Sequence, residues 1–220
     1  PPASNGGSTI TSYAVTSNVG GHTATGGSSP ITVTGLTNGT AYTFTVTATN
    51  AVGTGAASGT SNSVVPSSVP GAPTGVSAVA GNGQATVSFT APVSNGGSAI
   101  TGYTVTSNLG HTATGGSSPI VVTGLTNGVT YTFTVTATNA NGTGPSSGTS
   151  NSVVPATVPG APTSVVATPG NGEATITFTA PASNGGSAIT GYTVTSSLGH
   201  TATGGASPIT ITGLTNGVAY

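Results

Sequence analysis

The sequence contains no lysine, arginine, cysteine, methionine or tryptophan, and one acidic side chain, Glu173, in 220 residues. Each absence removes a class of chemistry. Binding to a phosphate backbone depends on cationic side chains that displace counterions, so nucleic acid is excluded as a partner. Attachment to anionic lipid loses its basis in the same way. Without cysteine there is neither a disulfide nor a thiolate metal site. A single carboxylate supports neither paired-carboxylate hydrolysis nor a calcium cage. No run of apolar residues approaches the length of a membrane span, so no membrane insertion is expected in this segment. No signal peptide, sorting motif or initiator methionine is visible, and Pro1-Pro2 is an unusual natural start; a window of a longer chain is expected. The formal net charge is −1, and only His22, His111 and His200 can change it near neutrality, to +2 if all three take a proton.

What is present is glycine (37 residues), proline (15) and an apolar fraction of 34% placed at regular alternation, which argues for folding rather than disorder. The organising stretch runs from Leu125 to Asn139. Asn127-Gly128 supplies a tight corner. After it, Tyr131, Phe133, Val135 and Ala137 fall on one face of a strand, and Thr130, Thr132, Thr134, Thr136 and Thr138 on the other. This is the pattern of a half-buried antiparallel strand, with β-branched threonine suited to the outer face.

The same words recur. Tyr103 and Tyr192, His111 and His200, Leu125 and Leu214, and Tyr131 and Tyr220 are each 89 residues apart. His22 and Leu36 keep that spacing to His111 and Leu125, whereas Tyr13 to Tyr103 is 90, because Asn18-Val-Gly-Gly-His22 is one residue longer than Asn108-Leu-Gly-His111. An insertion tolerated there marks a surface turn. Three modules follow from the period: a partial one over 1–66 that lacks the first two strands, a complete one over 67–155, and a partial one over 156–220 whose last two strands are missing or incomplete. Because the two partial modules share the same middle stretch, simple end-to-end complementation is not expected.

Within the complete module, seven short strands are predicted at about 74–79, 84–90, 100–107, 111–114, 119–123, 130–139 and 148–154, each bounded by turn signals. Bulky residues of the alternating faces, Phe89, Tyr103, Val105, Val122, Leu125, Tyr131, Phe133 and Val135, form the expected core. No helical period occurs anywhere. The fold class is therefore all-β: tandem seven-stranded antiparallel β-sandwiches. The linkers Ser63–Pro73 and Ser152–Pro162 are rich in proline, whose fixed φ favours extended, semi-rigid spacing and modules strung out in a row.

Pro70-Gly-Ala-Pro73, Val87-Ser-Phe89-Thr-Ala-Pro92, Gly102-Tyr103-Thr-Val105, Leu125-Thr-Asn-Gly-Val-Thr-Tyr131 and Ala137-Thr-Asn139 together resemble the fibronectin type III domain in its bacterial extracellular form. The resemblance covers the whole chain. It implies a tyrosine corner formed by Leu125 with Tyr131, and likewise by Leu36 with Tyr42 and Leu214 with Tyr220, in which the phenol hydroxyl bonds a nearby backbone group. Phe89 stands where the family usually carries tryptophan; an aromatic anchor is retained, so this departure bears on stability rather than fold.

Candidate chemistry is sparse. His22, His111 and His200 each sit in a Gly-His-Thr-Ala-Thr-Gly-Gly segment, but no aspartate exists to orient a catalytic imidazole, and repeat spacing keeps the three from sharing one intrachain zinc ion. They read as histidines in a turn or short strand. Glu173 is replaced by Gln84 in the preceding module, so no shared role attaches to that position. The Gly-Gly pairs at 96–97 and 115–116 have no helix or lysine behind them and read as hairpin turns rather than phosphate loops. Asn38-Gly-Thr40 and Asn141-Gly-Thr143 match glycosylation sequons. No catalytic, metal or cofactor site is expected. The expected function is a non-catalytic structural or adhesive array of a secreted bacterial surface protein, a stalk or filament, at the cell surface. Self-association with identical modules and a surface carbohydrate or protein ligand are the expected partners. The alternative is a set of spacer modules within a larger secreted carbohydrate-active enzyme.

Overall fold

The computed structural model describes residues 1–220 as strands, turns and extended segments, with no helix. The strands in chain order are β1 (Ile10–Ser17), β2 (Thr23–Gly26), β3 (Phe44–Asn50), β4 (Thr74–Ala80), β5 (Gln84–Thr90), β6 (Ile100–Ser107), β7 (Thr112–Gly115), β8 (Ile120–Thr123), β9 (Phe133–Asn139), β10 (Gly142–Thr143), β11 (Thr163–Pro169), β12 (Glu173–Thr179), β13 (Tyr192–Thr195), β14 (Thr201–Gly204) and β15 (Ile209–Thr212). They form five sheets, ordered β2-β1-β3, β4-β5-β8, β10-β9-β6-β7, β11-β12-β15 and β13-β14. The middle repeat thus has the two sheets of a complete sandwich.

Alternation does what the sequence requires of it. In β9, Phe133, Val135 and Ala137 are buried while the threonines between them are half-buried. In β5 and β8, Val87 stands opposite Ile120 and Ala85 opposite Val122, and all four are buried. The eight expected core residues of this repeat are all buried. The inner row of β9 ends in a polar residue, Asn139, which is also buried. Its Nδ2 donates to Ser68 O and Asn95 O, both at 2.8 Å, and its Oδ1 accepts from Asn141 N at 2.8 Å, so burial leaves none of these groups unpaired.

Two strand expectations change. β9 begins at Phe133 rather than at residue 130; Tyr131 is held by a single antiparallel bridge to Val153. The segment predicted as a strand at 148–154 forms no ladder. Instead Gly144, Ser147, Ser150 and Val153 donate their amides to the carbonyls of Ala137, Val135, Phe133 and Tyr131, each at 2.9 Å. The segment advances three residues for every two of its partner. A two-residue period cannot match that step, whereas the threefold polyproline-like conformation can. The amides of β9 left without a carbonyl are taken by serine hydroxyls: Phe133 N donates to Ser150 Oγ at 3.0 Å and Val135 N to Ser147 Oγ at 2.9 Å. Ser58 and Ser61 do the same for Val46 N and Phe44 N in the first repeat.

By packing the chain divides into two compact units, one of Pro1–Thr74, Thr90–Tyr103 and Val135–Ser147, the other of Gly75–Phe89, Thr104–Thr134 and Gly148–Tyr220. Each unit crosses a repeat boundary. In the first, β1 pairs with β3 with Val15 opposite Val46 and a bulge between Ile10 and Ser12. In the second, β12 pairs with β15 with Ile176 opposite Ile209 and Ala174 opposite Ile211; the three isoleucines are buried.

Candidate functional site

The residues singled out in the sequence gather at two kinds of place. The first is the corner before β3, β9 and the chain's last residue. Leucine anchors the turn, and five residues on from the threonine that follows it the tyrosine returns to that threonine's amide: Tyr42 Oη accepts from Thr37 N at 3.0 Å, Tyr131 Oη from Thr126 N at 3.0 Å, and Tyr220 Oη from Thr215 N at 2.9 Å. Tyr42 and Tyr131 are almost fully buried, whereas Tyr220 is 39% exposed. Leu125 is buried, and Leu36 and Leu214 are half-buried.

Each histidine packs edge-on against the tyrosine of its own repeat, with ring centroids 6.1 Å apart for His22 and Tyr42, 5.5 Å for His111 and Tyr131, and 5.6 Å for His200 and Tyr220. The backbone amide of each donates to a serine hydroxyl, Ser17, Ser107 or Ser196, at the base of the same turn. The imidazoles are half-buried packing groups under the corner. Glu173 and Gln84 occupy matching exposed positions at the starts of β12 and β5, opposite Thr212 and Thr123.

The second place is the boundary between repeats. The Gly-Gly pairs read as hairpin turns do not close hairpins: 96–97 lies between β5 and β6, and 115–116 between β7 and β8, strands that belong to different sheets in each case. They are crossings from sheet to sheet, and periodicity alone does not reveal which sheet a strand joins. Gly97, at φ +80°, lies against the Asn38-Gly39 turn of the first repeat; a Cβ on it would come to 2.8 Å from Asn38 C and from Gly39 Cα. Gly186, at φ +90°, meets the Asn127-Gly128 turn in the same manner, its would-be Cβ 2.9 Å from Asn127 C.

Backbone bonds repeat at both boundaries. Gly39 N donates to Pro66 O at 2.9 Å and Gly128 N to Pro155 O at 2.9 Å. Ser68 N donates to Gly96 O and Thr157 N to Gly185 O, both at 2.8 Å. Gly71 N donates to Ser94 O at 2.9 Å and Gly160 N to Ser183 O at 3.0 Å. Both sequon asparagines lie at the first boundary, exposed: Asn38 Nδ2 donates to Ser68 Oγ at 2.9 Å, and Asn141 Nδ2 to Ser68 O at 3.2 Å while its Oδ1 accepts from Ser67 Oγ at 3.1 Å. Sequence reasoning gave no role to Ser67 and Ser68 here, since one serine among many carries no periodic signal.

Two sheets of this order, a corner tyrosine bonded to its own turn and a repeat of 89 residues define a tandem β-sandwich repeat protein. Residues 1–64 and 71–153 match the family model described as the fibronectin type III domain, and the chain belongs to that family. Chitinase A1 of Niallia circulans is 36% identical over 119 residues, a match that takes in 50% of this chain but 17% of that protein's length. Among solved structures, a three-domain segment of titin aligns with a TM-score of 0.43 at 22% identity, covering 64% of this chain and 53% of its own. The FN1–FN3 domains of chicken CNTN1 align with a TM-score of 0.39 at 18% identity, covering 96% and 81%.

Proposed function

We propose that the chain is a non-catalytic array of fibronectin type III modules, with boundaries near 66/67 and 155/156, that spaces other domains of a larger secreted carbohydrate-active protein. The observation that carries this reading is the likeness to a bacterial chitinase over 119 residues, a length greater than one repeat of 89. The residue inventory agrees with a spacer: the histidines are taken up in packing against tyrosines, and the one carboxylate lies on an exposed strand end. Spacing needs stable, repeated modules and no chemistry of its own. A stalk or filament built by lateral association of modules is the second reading, favoured by near-identical repeats and a net charge of −1, which leaves little repulsion between copies.

The test is made on the native polypeptide that contains these residues. Under the spacer reading it hydrolyses an insoluble polysaccharide such as chitin, and removing the array lowers that activity while leaving turnover of short soluble oligosaccharides unchanged. A native polypeptide without hydrolase activity, found as fibres by negative-stain microscopy, would establish the second reading instead.

A further inference from the structure

The two boundaries share one construction, and it does not depend on what the array carries. We infer that the Asn-Gly turn of one repeat and the Gly-Gly turn of the next are the two halves of a fixed joint, and that the partner each half fits is the neighbouring repeat. At both boundaries the Asn-Gly turn donates its glycine amide to the linker proline carbonyl, and the linker donates to the first carbonyl of the Gly-Gly pair. Linker and both turns are thereby tied into one hydrogen-bonded set. The second glycine of the pair lies so close to the opposing turn that no side chain fits: Gly97 against Asn38-Gly39, Gly186 against Asn127-Gly128. The approach is reciprocal, since a Cβ on Gly39 would lie 3.1 Å from Gly97 Cα and one on Gly128 3.3 Å from Gly186 Cα. The compact units agree, because each groups residues of an outer repeat with residues of the middle one.

The chain holds its own controls. Gly7 occupies the same place in the first repeat's turn as Gly97, with nearly the same backbone, φ +79° against +80°, yet nothing lies within 4 Å of its would-be Cβ. Gly217 is the matching open position for Gly39 and Gly128, at φ +83°. A substitution at Gly7 meets the strain of a left-handed backbone alone, while one at Gly97 meets that strain and the joint.

The cysteine-free chain allows the joint to be read by distance. Spin labels placed through Val19→Cys and Val93→Cys, two exposed positions of one compact unit, the former in the first repeat and the latter in the middle one, should give a single narrow distance distribution in the full chain. Gly97→Ala should lose that narrow peak, and Gly7→Ala should keep it. Ser68→Ala, which removes the acceptor of Asn38 Nδ2 at an exposed site with no backbone strain, should broaden the peak and serves if Gly97→Ala does not fold. A broad distribution in the unmutated chain, or a narrow peak that survives both Gly97→Ala and Ser68→Ala, would overturn the joint. Neither result bears on whether the array belongs to a hydrolase.

Discussion

Thr43–Asn50 and Thr132–Asn139 are the same eight residues, Thr-Phe-Thr-Val-Thr-Ala-Thr-Asn, set in two surroundings. Both form a strand from phenylalanine to asparagine, and both give their amides to serines three residues apart. Their burial differs throughout. Val135 is 0% exposed and Val46 36%; Phe133 and Ala137 are buried and Phe44 and Ala48 half-buried. In the middle repeat the sheet β4-β5-β8 belongs to the same sandwich as β9, and residues 1–66 contain no counterpart of β4 and β5. The inner face of β1 and β3 opens instead onto a cleft of about 820 Å³ lined by Tyr13, Val15, Ile31 and Val46. Strand formation is thus local and follows the alternation, while core formation is non-local and needs the second sheet.

The strongest test of that distinction is the phenylalanine pair. Phe133→Ala should cost about 3–5 kcal/mol, as loss of a fully buried aromatic does. Phe44→Ala, which gives up only part of its contact, should cost about 1–2 kcal/mol by the area it removes from water. Hydrogen exchange resolved by peptide reads the two repeats separately in one chain. Equal losses would mean that the first repeat is as well packed as the middle one.

The corner tyrosines sharpen the comparison by chemistry rather than volume. Tyr131→Phe leaves Thr126 N without its acceptor beneath a nearly buried ring, and about 1–3 kcal/mol is expected. Tyr220→Phe removes the same bond, but at a ring 39% exposed, where water replaces the hydroxyl; an effect near the lower end of that range or below it is expected. A Tyr220→Phe loss equal to that of Tyr131→Phe would show that the corner acts without help from burial.

Ser150 and Ser61 separate the two surroundings once more. Ser150→Ala strands the amide of Phe133 inside the sandwich, at a cost of about 1–2 kcal/mol, whereas Ser61→Ala acts at an exposed site and should stay within about 0.5 kcal/mol. These serines also mark where the sequence stops being legible. Period-2 alternation was enough to place β5 and β6 and to name the core, because each apolar residue there carries the period with it. The segment from Gly144 to Val153 carries no such pattern: its contacts recur every third residue and run through hydroxyls, so its pairing is set by β9 and not by its own side chains. The joints were illegible for a related reason. Gly96-Gly97 announces a turn, but a glycine needed for φ and a glycine needed for a close approach look alike in sequence, and only the neighbouring repeat at Gly39 distinguishes Gly97 from Gly7.

The smallest expected effect is that of salt, and its smallness is the informative part. Screening acts on pairs of charges, and this chain has three histidines, one glutamate and its termini with which to form them. The middle and first repeats differ in how deeply the same strand and the same hydrogen bonds are buried, which does not depend on Debye length. Raising sodium chloride from low to physiological concentration should therefore leave both repeats where they were. A melting shift under about 1 °C is expected, since a few tenths of a kcal/mol move a chain of this size no further. The measurement is a calorimetric melt at each salt concentration, repeated with Phe133→Ala. If the gap between the two variants stays constant as salt rises, the difference between the repeats is one of packing. A gap that closes with salt would mean that charge contributes to the core of the middle repeat, and burial would then no longer account for the contrast between two identical strands.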